Sequence, residues 1–172
     1  EFDEGGRMAA SGHIETQLLN ELNDLDYYKQ PYPKSLSNDL GTDVVHPLIK
    51  SFNLAPQDAL RTYTEHIAFQ VGRSIVDLIE ENNIKHQTSN VKLLVTGGGA
   101  FNDFLMHQLG EVVRPMNVEI VIPDVEVVKY KEALVMALLG VLRWREENTV
   151  MASVTGAKRS SIGGAVWIGQ EA

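Results

Sequence analysis

An apolar run, Val91-Lys92-Leu93-Leu94-Val95, meets a triple glycine, Gly97-Gly98-Gly99, and a helical pattern begins directly behind it. That order narrows most what this chain can become. Apolar and β-branched residues favour a strand. Glycines let the backbone turn sharply and admit a close neighbour. The helix that follows presents unpaired N–H groups and a partial positive charge at its start. Strand, tight turn and helix in succession are a unit of an α/β layer. Two readings of the turn are open: a cradle for phosphate or adenosine, or a strand-to-helix turn whose small residues serve packing alone.

The spacing elsewhere predicts mostly helices. Ile14, Leu18, Leu19 and Leu22 recur at helical steps within 12–25, with Ser11 placed as the cap. Residues 27–37 read as a loop held extended by Pro31 and Pro33. A short helix is predicted over 41–54, with Val44, Val45, Leu48 and Ile49 inward. The longest amphipathic helix runs from Pro56, suited to a first helical position, to Asn83. Its stripe is Leu60, Tyr63, Ile67, Val71, Ile75 and Leu78. Residues 84–90 form a polar linker, and Leu93–Val95 reads as a buried strand. Ala100–Val113 is a helix, Pro115-Met116-Asn117 a turn, and Val118–Ile122 a second strand ended by Pro123. Lys131–Arg145 is apolar nearly all round, which predicts a helix sandwiched inside a large core, and Gly140 marks close packing there. Ala165-Val166-Trp167-Ile168 reads as a last strand.

Helices followed by strand–helix–strand–helix make an α/β domain. Two or three strands are few for a stable sheet, so further strands are expected upstream. Residues 1–172 read as a single domain or a fragment of one, with a helical and loop lead-in over 1–55 and a core over 56–172. The chain opens on Glu1 in a polar turn, as the C-terminal part of a longer polypeptide would; a vector-derived Glu1-Phe2 reads the same way.

The 172 residues are 44% hydrophobic, enough to bury a sizeable core. A net charge of -8 leaves no basic stripe for a nucleic-acid backbone, and the longest basic cluster is Lys158-Arg159. The absence of cysteine excludes disulfides, zinc–thiolate sites and cysteine nucleophiles. Nothing reads as a signal peptide or membrane span, so a cytoplasmic location is expected. His13, His46, His66, His86 and His107 have no ligand spacing, and no metal centre is expected from them. The serines lack a nucleophile-elbow context.

Gly97, Gly99 and position 102 fall on the G-x-G-x-x-G spacing of dinucleotide-binding folds, with Asp124 ending the next strand. Position 102 is asparagine, however, where that fingerprint needs a glycine for tight helix–strand packing. Asp103 reads as a first-turn partner of the helix dipole. Glu132 stands at the start of an otherwise apolar helix. Either the dipole favours it there, or it is a carboxylate aimed into a cleft to meet a sugar hydroxyl or water.

Four stretches, in order, resemble the C-terminal half of the anhydro-N-acetylmuramic acid kinases. The first is Phe2-Asp3-x-x-Gly6-x-x-Ala9-x-x-Gly12 with the Leu18-Leu19 helix behind it. The second is Pro33-Lys34-Ser35 after aromatic residues. The third is Leu94-Val95-Thr96-Gly97-Gly98-Gly99-Ala100-x-Asn102. The fourth is Glu132-Ala133-Leu134 with its apolar helix, then Ser153-Val154-Thr155-Gly156-Ala157.

The resemblance implies an α/β fold, a ribonuclease-H-like domain of the actin-like ATPase and sugar-kinase superfamily, with part of its sheet missing. It implies a two-domain kinase that opens the 1,6-anhydro ring of anhydro-N-acetylmuramic acid with water and phosphorylates O6, giving N-acetylmuramic acid 6-phosphate in peptidoglycan recycling. Gly97, Gly98, Gly99 and Asn102 would then contact the nucleotide, and Glu132 would position sugar or water. The general-base aspartate, the phosphate loops and the ligands of Mg-ATP would lie upstream of this chain, which alone would be inactive and at best a weak nucleotide binder. A homodimer is also implied, and the apolar helix permits one. Two alternatives stay open. Another sugar or acetate kinase need not carry the Pro33-Lys34-Ser35 loop and the 153–157 tail. A non-catalytic nucleotide-binding module would bind ADP without sugar-dependent turnover.

Overall fold

The computed structural model describes residues 2–31, 34–81, 91–166 and 169. Two compact units divide the chain. The first holds residues 1–29 and 36–128, the second 30–35 and 129–172.

The first unit opens with a 3-10 turn at Glu4–Gly6 and one-turn helix α1 (Arg7–Ser11). The Asp3 carboxylate builds this start, accepting from Met8 N–H at 2.8 Å and Ala9 N–H at 2.9 Å. Sequence periodicity did not register α1, because one turn is too short for a repeat. Ser11 ends that helix, donating its hydroxyl to the Met8 carbonyl, and does not cap the next. Helix α2 (Thr16–Asn23) is capped instead by Glu15, whose carboxylate accepts from Gln17 N–H. A further helical turn, α3 (Asp26–Lys29), occupies the front of the expected loop; Tyr32 and Pro33 lie outside the described residues.

The helix expected over 41–54 is divided into a π-helical turn at Leu40–Val45 and α4 (His46–Ser51). Pro47, in the first turn of α4, has no N–H to carry a ladder across the junction. The wider π turn rotates Val44 outward and Val45 inward. Leu18, Leu22 and Val45 form one apolar core, with Leu48, Ile49, Phe52 and Tyr63 against it.

Helix α5 (Pro56–Glu81) follows its predicted course as far as it is described; the linker over 84–90 and His86 lie outside the described residues. Its most buried line is Thr62, His66, Ala68, Gly72 and Ile75; of the predicted stripe Ile75 alone is on that line, Leu60, Tyr63, Ile67 and Val71 are half-buried, and Leu78 is exposed. Small and polar residues take the inner line because α1, α2 and α6 press against this helix. Strand β1 (Val91–Leu94) runs parallel to β2 (Val118–Val121), pairing Val91 with Val118 and Leu94 with Val121. Between them lie a 3-10 turn at Gly98–Phe101, helix α6 (Asp103–Val113), and the predicted turn through Asn117, whose φ is 56°. Ile75, Val113 and Val118 make the second core. The strand at 93–95 is not buried as expected: Leu94 is 62% exposed, since helices cover one face of this two-stranded sheet.

Helix α7 (Val125–Trp144) starts six residues before the predicted Lys131 and continues into the second unit. Its apolar residues are not sandwiched: Leu134, Met136, Leu138 and Trp144 are exposed, Trp144 by 76%. All-round apolarity therefore marks no covered face among the described residues. The second unit also carries one-turn helix α8 (Ala152–Thr155) and an antiparallel bridge between Val150 and Ser161. Ala165 and Val166 are not in a strand, while Trp167 and Ile168 lie outside the described residues.

Candidate functional site

The glycine turn leaves β1 through Gly97, which has φ 84° and ψ −179°, a conformation closed to side chains bearing a Cβ except at a cost. A single helical turn follows, with Ala100 N–H donating to the Gly97 carbonyl and Asn102 N–H to the Gly99 carbonyl, each at 3.0 Å. Ala100 is buried and anchors the turn.

Gly98 and Gly99 behave differently. Both are exposed and neither has a left-handed φ. A Cβ on Gly98 would meet nothing within 4 Å among the described residues, and one on Gly99 would make an ordinary 3.7 Å contact with Leu105. Backbone conformation explains Gly97 and burial explains Ala100, but neither requires Gly98 or Gly99. Glycine at those two positions leaves bare backbone open to whatever approaches from outside.

Asn102 caps α6, its side-chain oxygen accepting from Leu105 N–H at 3.0 Å. The cap leaves the side-chain amide, a pair of N–H donors, as the group able to reach a ligand. Position 102 is thus a helix start and not the helix–strand contact of a dinucleotide fingerprint, which leaves that reading without support. Asp103 follows in the first turn, as its dipole role predicts.

The first and third resembling stretches meet here. Gly6 is buried with φ 73°, and a methyl on it would collide with the Asn102 side-chain oxygen and Phe104 Cβ. Arg61, from α5, lies 4.9 Å from the Phe104 ring centre. Nothing local in the sequence ties position 6 to position 102; only its place in the first resembling stretch hinted at a role.

Glu132 lies in the second unit, exposed, and well inside α7. It does not stand at the helix start, where Glu126 is the acidic first-turn residue, so the dipole does not account for it. The missed signal was Pro123-Asp124: Asp124 opens the helix, its carbonyl accepting from Val128 N–H at 3.0 Å. In the fourth stretch, Thr155 donates to the Met151 carbonyl, and Gly156, at φ 71°, closes α8.

A polar cluster on α2, α3 and α5 surrounds buried His66. His66, 1% exposed, pairs Nδ1 with the Asn23 side-chain oxygen at 2.7 Å and Nε2 with the Tyr28 hydroxyl at 2.9 Å. Gln70 donates to the same Asn23 oxygen at 2.9 Å. Burial lowers the His66 pKa to about 4 and raises that of Tyr28. Asn23 accepting from Gln70 makes His66 Nδ1 the donor and leaves Nε2 to accept from Tyr28, the neutral tautomer. Among the described residues no three His, Asp or Glu side chains are grouped so as to hold a metal ion, and no helix is long and apolar enough to cross a membrane.

Comparison with known proteins agrees with the ordered motifs. The family model described as anhydro-N-acetylmuramic acid kinase matches residues 1–169. The anhydro-N-acetylmuramic acid kinase of Francisella tularensis subsp. novicida is 31% identical over 96% of this chain and 42% of its own length. That of Synechococcus is 31% identical over 94% of this chain and 42% of its own. That of Aliivibrio fischeri is 42% identical over 63% of this chain and 28% of its own. The chain thus spans well under half the length of these relatives. With the family model matching almost every residue, the chain belongs to the anhydro-N-acetylmuramic acid kinase family.

Proposed function

We propose that this chain is the nucleotide-binding, C-terminal half of a kinase that opens 1,6-anhydro-N-acetylmuramic acid with water and phosphorylates O6, yielding N-acetylmuramic acid 6-phosphate in the cytoplasm. The family membership supports the reaction. The observation that carries the nucleotide assignment is the bare, outward backbone at Gly98 and Gly99, which the chain's own packing does not require.

Gly98 and Gly99 would let the nucleoside lie against the backbone, with the Asn102 amide fixing its orientation. ATP supplies the phosphoryl group, with Mg2+ as its counter-ion. Under this reading the ligands of that ion belong to the remainder of the polypeptide. Phosphoryl transfer depends on holding donor and acceptor in line and stabilising the charge passed between them. This half contributes orientation of the donor, and Glu132 positions sugar or water. The fold under this reading is a ribonuclease-H-like domain of the actin-like ATPase superfamily, in a protein that forms a homodimer.

The test follows ADP release from Mg-ATP by the full-length polypeptide with and without 1,6-anhydro-N-acetylmuramic acid. Sugar-dependent release is the expected result. ADP binding without sugar-dependent release would turn the reading to another sugar or to a non-catalytic module.

A further inference from the structure

We propose that Gly6 and Asp3 are positioning residues for the nucleotide site, acting through Asn102; this rests on the nucleotide reading above. Asp3 clamps the N-terminal turn by accepting from two consecutive backbone N–H groups, Met8 and Ala9. The clamp presents buried Gly6 flat against the start of α6. The missing Cβ leaves the space that the Asn102 side-chain oxygen and Phe104 Cβ occupy. Asn102 can therefore cap Leu105 N–H and hold its amide in one orientation. Phe104, whose Cβ also borders that space, is steadied by Arg61 across its ring. A residue remote in sequence thus sets the rotamer of a ligand-facing side chain, and such support determines how well a site is preorganised.

The experiment is a double-mutant cycle in the full-length polypeptide, read as the ADP dissociation constant by calorimetric titration, with unfolding measured beside it. Gly6→Ala is expected to weaken ADP binding about tenfold in the otherwise unaltered protein, because it displaces Asn102. In the Asn102→Ala background the same substitution is expected to change it less than about twofold, since the side chain it displaces is gone. Any general loss of stability would appear in both backgrounds, so the coupling separates positioning from mere folding. Equal effects in the two backgrounds, or lost stability with ADP affinity unchanged, would overturn the proposal. If Gly6→Ala gives no folded protein, Asp3→Asn in the same two backgrounds reads the same coupling with a milder disturbance. Failure of the unsubstituted protein to bind ADP would overturn the nucleotide reading itself, and the positioning role with it.

Discussion

Glycine in a helical turn costs about 0.5–1 kcal/mol relative to alanine when its φ is an ordinary one. Gly97 escapes that reasoning because its φ of 84° is one that alanine adopts only under strain. Gly97→Ala is expected to lower stability by about 1–3 kcal/mol and to weaken ADP binding with it. Denaturant unfolding beside calorimetric titration checks both. Glu132 poses the opposite case: it is exposed within α7, so Glu132→Gln should leave unfolding within about 0.5 kcal/mol of the parent. Sugar-dependent turnover of the full-length polypeptide should fall nonetheless, and normal turnover would make Glu132 a plain surface residue. The glycine turn was legible in sequence because strand, glycines and helix are local. The part played by Gly6 was not, since its partner Asn102 lies far along the chain.

At the scale of elements, local signals placed α5, the turn at Asn117 and β2 almost to the residue, through Pro56, Pro115 and Pro123. They failed where neighbours decide. α5 turns Thr62 and Ala68 inward because three helices press on it, and no stripe of large residues announces that. α7 shows the reverse error, with apolarity alone taken as burial although Leu134 and Met136 are exposed. The crossing of α5 and α6 depends on Gly72, where a methyl would overlap Val112. Gly72→Ala should cost about 1–3 kcal/mol in unfolding experiments despite its better helix propensity. The cluster joining α2, α3 and α5 through His66 makes stability depend on pH. Its pKa falls from 6.5 in a free chain to about 4 on folding, so the unfolded chain takes up the proton first as pH drops. Stability is full above about pH 6.5 and declines toward pH 4, by about 3 kcal/mol in all. Urea unfolding at the two ends of that window checks it, and His66→Gln should flatten the difference.

At the scale of the molecule, the described residues build two units and a two-stranded parallel sheet. The curated relatives from Francisella and Synechococcus are matched over 42% of their length. Family membership was legible from motif order, because each motif is local and their succession is specific. We propose that Gly98 and Gly99 hold backbone open for a nucleotide and not for the fold. The most direct measurement is the stability and the ADP affinity of Gly98→Ala in the full-length polypeptide, taken on the same sample. Stability should be unchanged or raised by about 0.5 kcal/mol, with ADP binding sharply weakened. Lowered stability with ADP affinity intact would mean that these glycines serve the fold instead.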